Sequence, residues 1–419
     1  MPNTKKVLCV VGGGAAGFFC AIQAATLQEN LRVIILEKTG KILQKVKISG
    51  GGRCNVTHAC FEIPALSKKY PRGENFLKKS LHWFSPKDTI QWFADRGVTI
   101  VEQADGRMFP STNQSQTIID CLMREVNRLQ IEIRYHAGVQ SIQKNEYFQL
   151  SLQSGEQLSA DYVCIAVGGY PSLQQFDWLQ SLGHTIVPPV PSLFTFNLPK
   201  HPITSLMGVS VPNVLVKVNG TSIKQEGPIL ITHWGLSGPA VLKASAWGAT
   251  ELAALKYQFT ATINWLHAFN FNEQDVRAQW NDQRSKFSTQ KIAAKSMFNL
   301  PIRLWQFLVA SAGIQDHQNW STLQSEQQKL LTKFLLAYEV QVSGKTTFKE
   351  EFVTAGGISL SEVDVNTMQS KKIEGLYFAG EILNVDGVTG GFNFQHAWTS
   401  GWIAAKSIAH SLKDVSVQS

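Results

Sequence analysis

Three glycines near the start of the chain constrain its fold more than any other feature. Gly12, Gly14 and Gly17 form a Gly-x-Gly-x-x-Gly pattern between an apolar run at residues 6–11 and a mostly apolar run at 15–27. The first run predicts a buried parallel strand and the second a helix, and a further apolar run completes one βαβ unit. In this setting the first glycine permits a tight turn, the second lets a pyrophosphate approach the backbone, and the third lets the helix pack closely on the strand.

An acidic residue and a second glycine-rich segment indicate which dinucleotide binds. Glu37 follows the second strand, at 32–36, twenty residues after Gly17, where a carboxylate can accept a hydrogen bond from a ribose hydroxyl. Near the C-terminus a strand pattern ends in Gly380 and Glu381, and more glycines and a helix follow. This return of the chain suits FAD, which extends beyond one βαβ unit, better than NAD. No second strand-bounded glycine fingerprint is present, so we expect NAD(P)H to visit as a transient donor without its own domain.

The length and the proline distribution predict two domains. A chain of 419 residues exceeds what one compact core usually holds, and closely spaced prolines just before residue 192 mark a boundary. We predict a discontinuous domain of residues 1–190 and 346–419 with an inserted domain of residues 191–345. Within the insert, residues 192–265 have a β-rich pattern and residues 273–340 a helical one.

Composition and hydropathy exclude several classes of protein. Hydrophobic residues make up 44% of the chain and charged residues 17%, as in globular rather than disordered proteins. Six irregularly spaced cysteines do not suggest a disulfide scaffold and favour the reducing cytoplasm. The uncharged stretch at 7–28 is long enough to span a bilayer, but its glycines interrupt it where a strand turns into a helix. We therefore expect a cytoplasmic protein with no membrane partner, and the sequence carries no signal for its oligomeric state.

Positive charge is concentrated in one segment, which begins at Lys38 and ends at Lys79. The formal net charge is +8, and this basic segment holds ten Lys and Arg residues against two acids, Glu62 and Glu74. Such a block predicts a polyanionic partner or ligand, and a solvated basic face is the alternative. Aromatic residues in and beside the segment can stack on bases or belong to the core; they are Tyr70, Phe76, Trp83 and Phe84.

Six motifs spread over the whole chain resemble those of the BaiN-like flavoproteins, a branch of the FAD-dependent oxidoreductases. They lie at residues 10–17, 48–57, 106–110, 232–239, 354–357 and 375–395. The resemblance implies non-covalent FAD and an α/β, Rossmann-like fold of the glutathione-reductase type, with an inserted domain. The segment at 170–178, Asn384 and His396 depart from the family pattern, and these departures concern the active face rather than the fold.

The resemblance implies an oxidoreductase but leaves its substrate open. Members of the family are connected with reduction of a uridine in large-subunit ribosomal RNA to dihydrouridine, with oxidation of small amines such as aminoacetone, and with reduction of steroid enones. The basic segment favours the first reaction, with ribosomal RNA as partner and NAD(P)H as electron donor. A small-molecule oxidase or reductase and a flavin-binding protein without catalysis are the alternatives.

The resemblance and the glycine motifs also imply which residues contact FAD. They are Gly12, Gly14, Ala15, Ala16, Gly17, Glu37, Lys38, Lys45, Gly51, Gly52, Arg53, Cys54, Asn55, Val139, Gly168, Gly169, Gly380, Glu381, Gly390, Gly391, Phe392 and Asn393.

Arg53, Cys54 and His233 are the candidates for chemistry. Arg53 follows three glycines, and its charge can stabilise negative charge that develops near a flavin. A Cys54 thiol whose pKa is lowered by Arg53 and Lys47 would suit proton transfer, but a small packing residue against the cofactor is the favoured interpretation. His233 is a second acid–base candidate or a structural histidine. Cys54, His58 and Cys60 offer too few ligands for zinc, so we predict no metal.

Overall fold

The structure is a computed structural model that describes residues 5–346 and 353–417, with side chains described as far as residue 412. The chain divides into two compact units, one made of Met1–Ser192 with Phe348–Ser419 and the other of Leu193–Thr347. The boundaries predicted from the sequence lie after residues 190 and 345.

The strands of the described residues are β1 Lys6–Val11, β2 Leu31–Leu36, β3 Thr57–His58, β4 Ile100–Glu102, β5 Arg107–Pro110, β6 Glu132–Arg134, β7 Val139–Lys144, β8 Phe148–Leu152, β9 Gln157–Ala160, β10 Tyr162–Ile165, β11 Ile186–Ser192, β12 Thr195–Asn197, β13 Ser210–Val218, β14 Lys224–Thr232, β15 Gly235–Ser237, β16 Gln258–Asn264, β17 Tyr338–Ser343, β18 Lys345–Thr346, β19 Val353–Ile358 and β20 Leu376–Phe378. The α-helices are α1 Ala15–Leu27, α2 Gln44–Gly52, α3 Ile63–Ser67, α4 Glu74–Ser80, α5 Pro86–Ala94, α6 Ser115–Arg128, α7 Asp177–Gln180, α8 Pro239–Trp247, α9 Ala249–Ala254, α10 Glu273–Phe287, α11 Ile302–Ser311, α12 Ser325–Leu336 and α13 Phe392–Val417.

The first unit is built on a parallel five-stranded sheet with the order β20-β10-β1-β2-β6. Strands β1, β2, β10 and β20 are largely apolar and buried, as expected where helices cover a parallel sheet on both faces. Since all strands run the same way, the loops after β1, β2, β10 and β20 meet at one edge. Glu37, Gly168 and Gly380 follow three of these strands, and the glycine loop at 12–14 follows the fourth. The α/β Rossmann-like fold predicted from the sequence is confirmed.

Smaller sheets complete the first unit. Strands β3, β5 and β4 form one antiparallel sheet, β7, β8 and β9 form another, and β11 pairs with β19. Helices α1 and α13 pack closely, and an added Cβ at Gly401 of α13 would lie 2.7 Å from the carbonyl oxygen of Ala16. The C-terminal helix is therefore held against the helix that follows the glycine fingerprint.

The second unit contains an antiparallel seven-stranded sheet with the order β17-β16-β13-β14-β15-β12-β18. Strands β16 and β17 alternate buried and more exposed residues, which is the pattern of a sheet with one covered face. Trp280 of α10 is fully buried in the helical part, where its indole N–H donates to the hydroxyl of Thr332 at 2.9 Å.

Two details of the inserted region differ from the sequence prediction. Helices α8 and α9 lie within 192–265, which was expected to be β-rich, because the Gly238–Pro239 pair starts a helix at its proline. Strand β17 begins at Tyr338, inside the predicted helical range that ends at 340. Buried and exposed residues alternate from Tyr338 onward, which is the pattern of a strand, and β17 pairs with β16.

Candidate functional site

Two of the three fingerprint glycines are required by contacts within the protein. Gly12 has φ +114°, and an added Cβ would lie 2.4 Å from the carbonyl oxygen of Ala166. An added Cβ at Gly17 would lie 2.0 Å from the carbonyl oxygen of Gly12. Both distances are far below van der Waals contact, so side chains at these positions would separate α1 from β1 and β1 from β10.

Gly14 differs, because nothing in the protein requires a glycine there. Its backbone is extended, with φ −95° and ψ −173°, a conformation open to any residue. An added Cβ would meet no atom within 4 Å. Gly14 caps the N-terminus of α1, where Ala15 and Ala16 present backbone N–H groups that have no partner earlier in the helix. A pyrophosphate bound at this positive helix end would account for the missing side chain.

Glu37 lies beside the glycine loop, at the end of β2. One carboxylate oxygen accepts a hydrogen bond from Gly13 N at 2.9 Å, and the other accepts from Thr39 N at 2.8 Å and from the Thr39 hydroxyl at 2.9 Å. The oxygen that accepts from Gly13 N has a second lone pair for a further donor. The side chain is thus held in place next to the fingerprint, with acceptor capacity for a ribose hydroxyl. The Lys38 side chain lies against Gly138, the residue before Val139, where an added Cβ would be 3.1 Å from Lys38 Cγ.

The C-terminal end of α2 leaves helical geometry and turns sharply through three left-handed glycines. Gly50, Gly51 and Gly52 have φ values of +59°, +69° and +83°, and an added Cβ at Gly51 or Gly52 would meet no protein atom within 4 Å. The guanidinium of Arg53 lies over the ring of Phe109, 4.2 Å from its centroid, and its Nε donates to Gly50 O at 3.1 Å. This open, glycine-walled loop leaves room for a planar ligand and fixes a positive charge beside it.

Cys54 and Asn55 are buried at the base of this loop. The Cys54 thiol is fully buried, and burial raises its pKa to about 12, although a hydrogen bond with Ser49 opposes the rise. A lowered pKa of this thiol, the interpretation that would suit proton transfer, is therefore wrong, because the thiol is fully buried. Asn55 accepts a hydrogen bond from Met108 N through Oδ1 at 3.3 Å.

The C-terminal glycine–acid pair, Gly380 and Glu381, contacts four other parts of the first unit. Glu381 accepts a hydrogen bond from Thr354 N at 2.9 Å and forms an ion pair with Lys45 at 2.6 Å. An added Cβ at Gly169 would lie 2.8 Å from the Glu381 carboxylate. Gly380 has φ +75° and lies against Ala16 of α1, with 2.8 Å between an added Cβ and the alanine Cβ. Predicted cofactor residues from four chain segments thus meet here. An added Cβ at Gly168 would meet no protein atom within 4 Å, so the space beside this residue is open.

The start of α13 brings in a second group of predicted residues. An added Cβ at Gly391 would lie 2.5 Å from Thr57 O, and one at Gly390 would lie 3.2 Å from the His58 ring. The His58 ring stacks on Phe392 with 4.7 Å between centroids. Asn393 closes the preceding loop, since its side chain accepts from Gly387 N at 2.8 Å and donates to Gly387 O at 3.0 Å.

Some of the buried polar atoms without a protein partner belong to residues that contact predicted cofactor residues. Three such atoms are His58 Nδ1, Thr354 Oγ1 and His396 Nδ1, whose residues contact Phe392, Glu381 and Gly380. A buried polar group without a partner costs roughly 1–3 kcal/mol, so folded proteins rarely leave one unsatisfied. A polar ligand such as FAD, rich in hydroxyl and phosphate groups, would satisfy them, and we conclude that the residues present fit this cofactor.

His396 is the residue at this site that sequence reasoning undervalued. Its Nε2 lies 3.1 Å from Gly380 O, so Nε2 carries the proton and the buried Nδ1 is an acceptor. Burial lowers the pKa of this imidazole to about 4, although the hydrogen bond to Gly380 and the charge of Glu381 oppose the fall. Its departure from the family pattern was the available signal.

The structure also shows the surroundings of His233, Arg72 and the aromatic residues of the basic segment. His233 is exposed in the turn between β14 and β15 of the second unit, with its ring 4.1 Å from that of Trp234. Arg72, counted in the basic segment, pairs through its guanidinium with the fully buried carboxylate of Asp386. Of the predicted stacking aromatics, Tyr70 and Phe84 are buried and belong to the core; Trp83 is exposed and Phe76 is half-buried.

The described residues contain neither a candidate metal centre nor a membrane-spanning helix. Over 5–346 and 353–417, no three His, Cys, Asp or Glu side chains come together as a metal-binding group. In the same part of the chain, every helix is too short or too polar to cross a membrane.

The fold and the site define a flavoprotein with a Rossmann FAD-binding domain. The chain belongs to the family described as the HI0933-like protein Rossmann domain, whose model matches residues 6–407. It is similar to the ribosomal RNA dihydrouridine synthases of Escherichia coli K12 (32% identity over 95% of this chain and 97% of that protein) and of Haemophilus influenzae (30%, 96% and 98%). It is also similar to the 3-dehydro-bile acid delta(4,6)-reductase of Clostridium scindens (27%, 96% and 98%).

A solved structure supports the fold at greater distance. The 3-ketosteroid-delta4-(5alpha)-dehydrogenase of Rhodococcus jostii RHA1 matches with a TM-score of 0.50 and 12% identity over 98% of both chains. The protein is an FAD-dependent oxidoreductase, and the family resemblance in its motifs is confirmed. The alternative of a flavin-binding protein without catalysis is set aside, because the named relatives are enzymes.

Proposed function

We propose that this enzyme reduces a uridine of large-subunit ribosomal RNA to dihydrouridine, with NAD(P)H as electron donor. The observation that carries the proposal is a set of exposed lysines without acidic partners in the unit that holds the FAD site. Full-length similarity to two proteins named ribosomal RNA dihydrouridine synthase supports it. FAD, when bound, supplies a two-electron carrier between the nicotinamide and the base.

The basic segment is displayed on the surface with little internal neutralisation. Eight of its lysines are exposed; they are Lys38, Lys41, Lys45, Lys47, Lys68, Lys69, Lys78 and Lys79. Among the residues that the structure describes, Lys68, Lys69, Lys78 and Lys79 form no ion pair with a carboxylate. Charges that no acid neutralises can attract phosphates and release their counterions. Arg72 does not belong to this set, because its guanidinium forms an ion pair with the buried Asp386.

The reaction assigns different tasks to the candidate residues. Reduction adds two electrons and two protons across the C5–C6 bond of uracil, and NAD(P)H is oxidised to NAD(P)+. Negative charge develops on the O4 oxygen, and Arg53 at the open glycine loop is our candidate to stabilise it. The C5 carbon takes its proton from a protein acid or from water. Cys54 is assigned to packing, since a fully buried thiol with a raised pKa is a poor proton donor near neutral pH.

Reduction of a small enone is the second candidate, favoured by the similarity to a bile acid reductase. An enone has the same conjugated C=C–C=O group as a uracil ring. Arg53 could stabilise the developing negative charge with either substrate. The residues near FAD therefore do not distinguish a uridine from an enone as the substrate. The distinguishing feature is the basic surface, which a neutral steroid does not need.

The test compares ribosomal RNA from a wild-type strain, a strain that lacks the gene, and the deletion strain complemented with wild-type or Gly14→Val protein. We expect one dihydrouridine in large-subunit RNA to disappear on deletion and to return with the wild-type gene alone. In parallel, purified protein is mixed with NADH or NADPH and with a ribosomal RNA fragment, a steroid enone or aminoacetone. An unchanged dihydrouridine map together with turnover of the enone or the amine would replace RNA reduction by the small-molecule alternative.

A further inference from the structure

Trp83 is an exposed aromatic residue in an otherwise polar and basic region of the first unit. Its side chain is 43% exposed, although large aromatic residues are usually covered. It lies in the turn that extends α4, where His82 N donates to Lys79 O at 3.3 Å and Trp83 N donates to Ser80 O at 3.0 Å. Because this turn continues the helix, Lys79, His82 and Trp83 are spaced to lie on one side of it.

Helix α13 supplies the other half of this surface. Trp402, Lys406 and His410 follow one another at intervals of four residues, so they share one face of the helix. The Lys406 ammonium lies 4.4 Å from the ring centroid of Trp83 and 5.1 Å from that of Trp402. Lys406 therefore bridges the two tryptophans. We call these residues the aromatic–basic patch; they are Lys79, His82, Trp83, Trp402, Lys406 and His410.

The core holds this surface in place. Trp402 stacks on Phe84 with 5.6 Å between centroids and an interplanar angle of 26°, and Phe84 is buried. Phe84 also contacts Phe19 of α1 at 5.3 Å. Two hydrogen bonds add to this packing: the Phe84 carbonyl oxygen accepts from the Thr399 hydroxyl at 2.8 Å and from the Gln395 side-chain amide at 3.5 Å. A pre-arranged aromatic surface loses little conformational entropy on binding.

The chemistry of the patch favours nucleic acid over a membrane or an apolar protein surface. Within the described parts of 74–84 and 392–412, Trp83 alone among the large hydrophobic residues is exposed. A membrane-binding face would present several leucines, isoleucines or phenylalanines. The lysines also remain available, because neither Lys79 nor Lys406 forms an ion pair with a carboxylate among the described residues. Flat aromatic faces next to unneutralised cations are the elements that bind unpaired bases and their phosphates.

We propose that the aromatic–basic patch binds an unpaired segment of the RNA substrate, with one base stacked on Trp83 and the adjoining phosphates on Lys79 and Lys406. This proposal rests on RNA as the substrate and adds where the RNA is held. The patch combines the end of the basic segment with α13, which lies outside that segment. It binds through base stacking and charge together, whereas Lys68 and Lys69 contribute charge alone.

The test measures binding of the FAD-loaded enzyme to a labelled oligouridine and to a duplex RNA of the same length, by fluorescence anisotropy over a series of salt concentrations. Trp83→Leu should weaken oligouridine binding by roughly 5- to 150-fold, as expected for loss of one stacked base. Trp83→Phe should retain most of the affinity, because an aromatic face remains. Lys406→Gln should lower the log–log salt slope by about 0.7, as expected for one phosphate contact to a single strand.

Matched controls separate the patch from general effects. Trp247→Leu removes an exposed tryptophan of the second unit, and Lys329→Gln removes an exposed lysine of α12; neither should change binding. Unchanged flavin content and Tm would show that the Trp83 variants are folded. Wild-type affinity in Trp83→Leu, absence of oligouridine binding by the wild-type enzyme, or Trp83-dependent binding to anionic lipid vesicles without RNA binding would each overturn the proposal.

The outcomes distinguish this proposal from the proposed function. If oligouridine binds through Trp83 but deletion of the gene leaves the dihydrouridine map unchanged, the patch stands and the reaction assignment fails. If the dihydrouridine disappears on deletion but Trp83→Leu binds RNA normally and restores the modification fully, the reaction stands and the patch fails.

Discussion

Both carboxylate oxygens of Asp386 accept hydrogen bonds from the guanidinium of Arg72, 314 residues earlier in the chain. Ser192 donates a third hydrogen bond to this carboxylate at 2.7 Å, and Asp386 is fully buried. Burial raises the pKa of the Asp386 carboxyl, and Arg72 opposes that rise. The pair holds the loop that carries Gly390 and Gly391 against the basic segment. Arg72 therefore has a structural role rather than a role in binding a ligand.

Removal of one partner of this pair should be strongly destabilising. We expect Arg72→Leu to lower the free energy of unfolding by about 3–5 kcal/mol, because it leaves a buried carboxylate without its counter-charge. The double variant Arg72→Leu/Asp386→Leu should recover part of this loss. Urea unfolding measures both, with Lys329→Ala in an exposed ion pair as a control that should cost about 0–1 kcal/mol. A loss below about 1 kcal/mol for Arg72→Leu would contradict the buried-pair interpretation.

Gly14 and Gly17 should respond to alanine in opposite ways. Gly14→Ala should leave Tm nearly unchanged but reduce FAD content, because the new methyl group meets only ligand space. Gly17→Ala should lower Tm markedly, since its Cβ would lie 2.0 Å from Gly12 O. Flavin absorbance per protein and thermal unfolding give the two readouts. Equal loss of Tm in both variants would show that Gly14 is a packing residue.

Cys54 should be chemically silent in the folded enzyme. Its thiol is fully buried with a pKa raised to about 12, whereas Cys60 is partly exposed, so an alkylating reagent should modify Cys60 first and Cys54 only after unfolding. Cys54→Ala should then retain turnover within a few fold once FAD is bound. A true general acid would instead show a loss of about a hundred- to ten-thousand-fold. Mass spectrometry of the modified peptides and single-turnover kinetics measure the two effects.

His396 should make the folded enzyme sensitive to mild acid. Its pKa is lowered to about 4 in the folded state, so between roughly pH 6.5 and 4 the unfolded chain binds a proton that the folded chain does not. Stability from this residue is therefore complete above about pH 6.5 and falls as the pH drops, by up to about 3 kcal/mol.

The measurement compares urea unfolding of wild-type and His396→Gln protein at about pH 7 and about pH 5, with flavin content matched. Glutamine can still donate to Gly380 O but does not titrate. The wild-type protein should lose more stability on acidification than the variant. Parallel losses in both proteins would assign the acid sensitivity to other groups.

Features that depend on neighbouring residues follow from the amino-acid sequence alone. The strand, glycine turn and helix at residues 6–27 follow from local periodicity and from backbone conformations that only glycine adopts easily, as at Gly12. The position of Glu37 after the second strand follows from the same βαβ spacing. Because these relationships span a few tens of residues, the Rossmann-like class and the FAD family are predictable from the sequence.

Packing of the whole chain determines which distant residues meet and which are covered. Arg72 resembles its neighbouring surface charges in sequence, but Asp386 lies beside it in the fold, and complete burial sets the pKa of Cys54. His396 Nε2 donates to Gly380 O, sixteen residues away, and this leaves Nδ1 of the same ring as an acceptor. The energies of charged and polar groups change most with burial, and burial is not encoded by any short stretch of sequence. Local sequence therefore determines the strand, glycine turn and helix of the predicted FAD-binding segment. Tertiary packing determines which side chains around that segment are charged, neutral or accessible.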